Sequence, residues 1–345
     1  MNRTAHGSNR KIRTAGTGNR RGRPGLIAAV AASAIALLGG LCTPAAAAPR
    51  TAGTATEVRN PAGCGQSAPQ EPGSSALHPL TSGGLARTYQ LHLPPEYTPD
   101  RGFPVVLAFH GRGNTGQGTE EFSKLSELPA IVAYPNGVVG TGDGERQAWQ
   151  GAPYAAPGVD DVAFTDDLLD ELERTLCVDR ARVYATGKSN GAGFTGLLAC
   201  RRADRITAVA PVAGAFYPDT GKNCRPSRPV PVIDFHGTGD ATIPYLGDEE
   251  RGLPAIRDWT ARWASRNGCA TRPTTETVAP DITLTNWTKC RSGADVRHVA
   301  VTDGGHTWPG ADSYSGGGYT TQTIEAHEVL WDFVSRHRLP DSVLR

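Results

Sequence analysis

From Ala86 onward, short β-branched apolar runs alternate with longer amphipathic stretches, and this alternation constrains the fold more than any other feature of the 345-residue chain. Strands are expected over 87–93, 104–110, 130–134, 182–186, 208–212, 230–235 and 296–301, and helices over 162–176, 190–201, 255–266 and 323–336. In the 162–176 stretch, Leu168, Leu169, Leu172 and Leu176 share one face, while Asp166, Asp167, Asp170 and Glu171 point mostly outward. Asp160 and Asp161 stand where they can cap its start. Strands alternating with helices of this length make βαβ units. The expectation is therefore an α/β fold, with a mostly parallel central sheet and helices on both faces, over residues 84–345. Ligands of such sheets bind beyond the carboxyl ends of the strands.

The first 47 residues do not belong to that pattern. They hold Arg3, Arg10, Lys11, Arg13, Arg20, Arg21 and Arg23 and no acidic residue. An apolar stretch over 26–41 follows, then Ala45-Ala46-Ala47, which suits the small-residue cleavage rule. Residues 1–47 are read as a secretory signal peptide cut after Ala47, so the product is expected to be extracellular and free of the membrane. The apolar stretch is too short and too dilute in Leu and Ile for a membrane anchor. Leu41 stands where a lipid anchor on Cys42 would need a small residue. The Arg20-Arg21 pair leaves the export route open between the general and twin-arginine systems. Residues 48–83, rich in Ala, Gly, Pro and Ser, are expected to be a flexible lead-in.

The net charge of +1 hides this asymmetry, because the body of the chain is mildly acidic and has no basic stripe. A nucleic-acid partner is therefore not expected. The 42 Gly and 26 Pro follow no period, which excludes a collagen-like chain. Loss of Cys42 with the signal leaves six cysteines, an even number that suits disulfides in an exported protein. Proximity favours Cys269 with Cys290 and Cys200 with Cys224, leaving Cys64 for Cys177. No C-x-x-C or H-x-x-x-H run suggests a metal site. A monomer is expected.

The sharpest motif is Gly187-Lys188-Ser189-Asn190-Gly191, which directly follows the strand 182–186 and opens the helix from Asn190. In strand–turn–helix context, G-x-S-x-G is a nucleophile elbow that lifts the Ser189 hydroxyl above the sheet. A serine nucleophile needs a base, and the base needs an acid to orient it. Asp240 falls just past the strand 230–235, and His306 lies in the Gly-rich loop after 296–301, so the chain order Ser, Asp, His is met. Asp303 is a less suitable acid, three residues from the histidine. Asp234, His236, His298, His327 and His337 read as structural. An oxyanion hole is expected from the backbone N–H groups of Asn190 and of Arg112, the latter in the turn His110-Gly111-Arg112-Gly113. Trp149, Tyr245 and Trp308 fall in loops and are candidates for stacking on a substrate ring.

Three blocks resemble a known family of secreted esterases, which groups feruloyl esterases, acetylxylan esterases and polyhydroxybutyrate depolymerases. They are residues 182–214 (RVYATGKSNGAGFTGLLACRRADRITAVAPVAG), 236–245 (HGTGDATIPY) and 304–310 (GGHTWPG). Residues 151–164 and the pair Cys269 and Cys290 are similar in character. The resemblance implies the α/β-hydrolase fold, Ser189, Asp240 and His306 as the triad, and no cofactor. It also implies a polymer-linked ester as substrate, with ferulate on arabinoxylan first, polyhydroxybutyrate second and acetylxylan third. A carbohydrate-binding protein on the same scaffold is the reading outside enzymology. Lys188 departs from the family pattern, which more usually has an apolar or aromatic residue there, and it is a candidate to meet the substrate.

Overall fold

The computed structural model describes residues 62–344, so the expected signal peptide and its Cys42 lie outside the described residues. The strands are β1 (Ser75–Ser82), β2 (Leu85–His92), β3 (Phe103–Phe109), β4 (Ile131–Pro135), β5 (Val138–Val139), β6 (Gln147–Ala148), β7 (Val178–Lys188), β8 (Ala208–Val212), β9 (Val232–Gly237), β10 (Thr274–Ala279), β11 (Ile282–Trp287) and β12 (Val296–Val301). The helices are α1 (Gly116–Ser123), α2 (Asp161–Thr175), α3 (Asn190–Arg201), α4 (Pro218–Gly221), α5 (Ile256–Arg266) and α6 (Ala326–Val334).

Ten strands form one sheet in the order β1-β2-β4-β3-β7-β8-β9-β12-β11-β10, and β5 pairs with β6 in a separate ribbon. The centre, from β4 through β12, is parallel. Antiparallel pairs close both ends: β1 on β2 and β2 on β4 at one, β12 on β11 and β11 on β10 at the other. This is the α/β-hydrolase arrangement expected from the sequence. It adds one strand inside the segment expected to be a flexible lead-in. Ser75–Ser82 is ordered because it pairs along its whole length with Leu85–His92.

The central strands read as continuous apolar runs because both faces are covered. In β3, Val105, Leu107 and Phe109 enter one core with Phe164 and Leu168 of α2, Phe194 of α3, and Trp259 and Trp263 of α5. Val106 and Ala108 enter the other core, with Phe122 of α1 and Leu330 and Phe333 of α6. Alternate residues of one strand thus face two helical layers.

Of the two acids expected to cap α2, only Asp160 does so, accepting the Val162 and Ala163 N–H groups at 3.1 Å. Asp161 is buried and accepts from the Arg87 guanidinium at 2.9 Å and the Gln150 N–H at 2.8 Å. Three disulfides join Cys64 to Cys177, Cys200 to Cys224 and Cys269 to Cys290. The first pins the start of the described chain to the residue before β7.

Candidate active site

Four loops meet beyond the carboxyl ends of β3, β7, β9 and β12. The turn from β7 into α3 places Ser189 at φ 57° and ψ −117°. An L-residue occupies that region only when its surroundings enforce it, at a cost of about 1–3 kcal/mol. The enforcement is steric. A Cβ on Gly187 would stand 2.7 Å from the Phe109 carbonyl oxygen, and one on Gly191 would stand 2.2 Å from it. Only glycines let β7 and α3 approach β3 this closely, and that approach bends the chain at Ser189.

Asp240 and His306 come from the neighbouring strand ends. The His306 Nδ1–H donates to Asp240 Oδ2 at 2.7 Å, which leaves Nε2 free to take a proton. The second oxygen, Asp240 Oδ1, accepts the Thr242 and Ile243 N–H groups, both at 2.8 Å. Burial opposes the carboxylate charge, but the bonds from His236 and His306 outweigh it and hold the group well below the usual carboxylate range. His236 lies 3.3 Å from Asp240 Oδ2 through Nε2, and that atom also donates to the Ile243 carbonyl at 2.9 Å. The His306 imidazole is pushed below its ordinary value chiefly by burial, with Lys188 acting in the same direction and Asp240 against both.

Ser189 and His306 line one cavity of about 660 Å³, together with Lys188, Arg112, Tyr154 and Tyr217. No hydrogen bond joins the Ser189 hydroxyl to the imidazole in this arrangement; such bonds often tighten only with substrate. The Asn190 N–H opens α3 without an intrahelical partner, and the Arg112 N–H lies in the loop after β3. That loop is fastened from below. His110 is fully buried; its Nδ1–H donates to the Gly111 carbonyl at 2.8 Å, and its Nε2 accepts the Gly137 N–H at 2.9 Å. Burial lowers the His110 pKa to about 4, so it stays neutral.

The rival residues fall elsewhere. Asp234 accepts from His298 Nδ1 at 2.7 Å, and His298 Nε2 meets the Tyr245 hydroxyl at 2.8 Å, a buried chain that does not touch the cavity. Asp303 is exposed, in a turn at φ 55°.

The expected stacking aromatics need correction. Trp149 is fully buried, edge-on to Phe109 and stacked with Phe194, and its indole N–H donates to the His110 carbonyl at 3.0 Å. Trp308 is 1% exposed and packs near Phe122 in the opposite core. Tyr245 is half-buried and committed to His298. The irregular backbone around these residues suggested exposure, yet their large apolar rings are drawn under the loops. The aromatic residues that do line the cavity are Tyr154, Tyr217 and Tyr314, and Arg146 and Arg251 join them. Sequence reading gave no signal for these, because they come from loops with no periodic pattern.

No family model matches the chain. It is 30% identical over 260 residues to feruloyl esterase B of Piromyces equi, a match covering 72% of this chain and 44% of that one. It thus spans under half the length of that relative. It is also 30% identical over 251 residues to the Nocardia uniformis subsp. tsuyamanensis protein NocK, named as an esterase, covering 66% of this chain and 72% of that one. Among solved structures, the acetyl xylan esterase from Aspergillus awamori aligns with a TM-score of 0.50 at 16% identity, covering 75% of this chain and 99% of that one, a likeness of fold. The chain belongs to the α/β-hydrolase esterases of the feruloyl esterase and acetylxylan esterase type.

Proposed function

We propose that the chain is a secreted serine carboxylic-ester hydrolase of the feruloyl esterase type, acting on polymer-linked plant cell-wall esters. The observation that carries this reading is the 2.7 Å Asp240–His306 bond beside a serine held at φ 57° in the same cavity. His306 Nε2 takes the Ser189 proton as the hydroxyl oxygen attacks the ester carbonyl, while Asp240 holds the imidazole and stabilises its charged form. The Arg112 and Asn190 N–H groups receive the developing oxyanion. Collapse expels the alcohol, which takes the proton from His306 and leaves an acyl-enzyme. Water, deprotonated by His306, then releases the acid and restores Ser189. The three disulfides support an oxidising destination.

The test compares methyl ferulate, p-nitrophenyl acetate, acetylated xylan and a polyhydroxybutyrate suspension, with wild type beside Ser189→Ala. Ferulate release that disappears in the variant supports the reading. Deacetylation of xylan without ferulate release moves the substrate to acetylxylan, and polymer clearing alone moves it to the polyester. Unchanged turnover in Ser189→Ala rejects the mechanism.

A further inference from the structure

The cavity lining is cationic. Lys188, Arg112, Arg146 and Arg251 line it, against one carboxylate, Glu121. Arg251 is already compensated: it lies 3.5 Å from Asp248 and donates to the Thr242 carbonyl at 2.8 Å and the Tyr217 hydroxyl at 3.2 Å. Arg112 lies over the Tyr154 ring, 4.3 Å from its centre, and reaches only the Thr141 carbonyl, at 3.4 Å. Arg146 rests its stem against Gly113. Among the described residues neither has a carboxylate within ion-pair distance. Glu121 is held by the Gln117 amide at 3.2 Å and neutralises none of them.

Lys188 is the telling member. The residue is only 6% exposed, and among the described residues its ammonium forms no hydrogen bond or ion pair with the protein; the nitrogen is not among the sealed polar atoms and opens on the cavity. A buried charge without a partner is costly, so proteins pair it or leave room for the partner to arrive. Room exists here. Gly316 lines the same cavity; the His306 carbonyl, 1.8 Å from where a Cβ on it would stand, already requires a glycine there, and its lack of a side chain leaves the space in front of the Lys188 Nζ, 2.9 Å from that point, unfilled. Asp240 attracts the ammonium from a distance, but its own oxygens are committed to His306, Thr242 and Ile243. Burial brings the Lys188 pKa down to about 8, so it remains charged at neutral pH.

We propose that the ester cleaved here carries a carboxylate, held by Lys188 together with Arg112 and Arg146, so that the substrate class is an acidic ester; this rests on the reading of the cavity as an esterase site. The carboxylate lies either on the alcohol side, as a uronate beside a feruloyl or acetyl ester, or on the acyl side, as the free end of a dicarboxylic monoester, in which case that acid takes the place of ferulate as the acyl group. A cavity of about 660 Å³ accommodates either beside the scissile bond.

The test measures kcat/KM for matched pairs. p-Nitrophenyl hydrogen succinate against p-nitrophenyl butyrate reports the acyl side. Acetylated galacturonate oligosaccharide against acetylated xylo-oligosaccharide reports the alcohol side. The expected result is a preference of about tenfold or more for the anionic member of one pair. Lys188→Met should cut that ratio by about tenfold, mainly through KM, because it removes the buried partner of the carboxylate. Arg146→Gln, an exposed change that folding tolerates, should cut it by about twofold to fivefold, and the wild-type ratio should fall as salt is raised. A merely structural lysine, or one acting only on His306, would change both members of a pair alike. Equal rates within both pairs, insensitive to salt and to both substitutions, would overturn the proposal while leaving the esterase reading intact. Absence of Ser189-dependent turnover on every ester, neutral ones included, would overturn both.

Discussion

The Asn190 side chain clasps the backbone of Trp149 from both sides: Oδ1 accepts the Trp149 N–H at 2.7 Å, and Nδ2 donates to its carbonyl at 3.3 Å. Because the Trp149 indole holds the His110 carbonyl, the residue after Ser189 is tied to the loop that carries Arg112. Asn190→Ala leaves two buried backbone groups unpaired and should cost about 2–3 kcal/mol. It should also lower kcat on the order of tenfold by loosening the two N–H donors. Denaturant unfolding and kinetics on one neutral ester check both parts.

Ser189→Ala should abolish turnover and leave the melting temperature within a few degrees of wild type, since the hydroxyl makes no hydrogen bond on which the fold depends. Reaction with a fluorophosphonate probe gives an independent readout. Wild type should be labelled at one residue and the variant not at all.

On the proposed mechanism, the pH dependence of kcat/KM follows from His306, which must be neutral to accept the Ser189 proton. Burial and Lys188 both disfavour its charged form, so the acid limb should fall below pH 6.5, the ordinary histidine value. Lys188→Met removes one of these two influences, and the limb should move to higher pH. Profiles on a neutral ester separate this effect from any change in substrate binding.

Acid should also destabilise the fold through His110. Its pKa is about 4 when folded and 6.5 when unfolded, so the unfolded chain binds the extra proton between these values. The stabilisation from a neutral His110 is complete above pH 6.5, is lost progressively as pH falls toward 4, and declines no further below that. The span corresponds to about 3 kcal/mol. Burial also lowers the His337 pKa to about 4, so urea unfolding at pH 7, 5.5 and 4 is compared between wild type and His110→Asn, and an equal pH response in the two would refute the assignment.

The three disulfides should differ in weight. Cys64–Cys177 closes 113 residues, whereas Cys200–Cys224 and Cys269–Cys290 close 24 and 21. On the chain-entropy account, the first contributes about 5 kcal/mol and the others about 3 kcal/mol each. Paired Cys→Ser variants, compared by melting temperature, should rank in that order.

Much of this was legible in the sequence because it is written in local patterns. The β3, β4 and β8 runs are apolar throughout since helices cover both faces, β7, β9 and β12 are predominantly apolar in the stretches that lie between the helical layers, and the glycines flanking Ser189 announce the turn that only they allow. The edges were harder. In β10 the side chains are nearly all exposed, and in β1 exposed and half-buried residues alternate, so neither shows a strong apolar run. Their pairing comes from hairpin neighbours rather than from burial. The cavity walls were least legible. Arg146, Tyr154, Tyr217 and Arg251 meet through loop paths that no periodicity encodes, and Trp149 and Trp308 were misplaced because a loop backbone says little about where its largest side chain packs.

Among the described residues the sheet ends at β1 and β10, and both borders are poor templates for another chain. Pro79 deprives β1 of one amide donor. Glu276 puts a charge on β10, and a shift in register between Thr277 and Ala279 disturbs its line. An edge of this kind discourages strand-by-strand growth into fibrils. Folded chains at high concentration are thereby kept from joining edge to edge, where unprotected borders would seed aggregation.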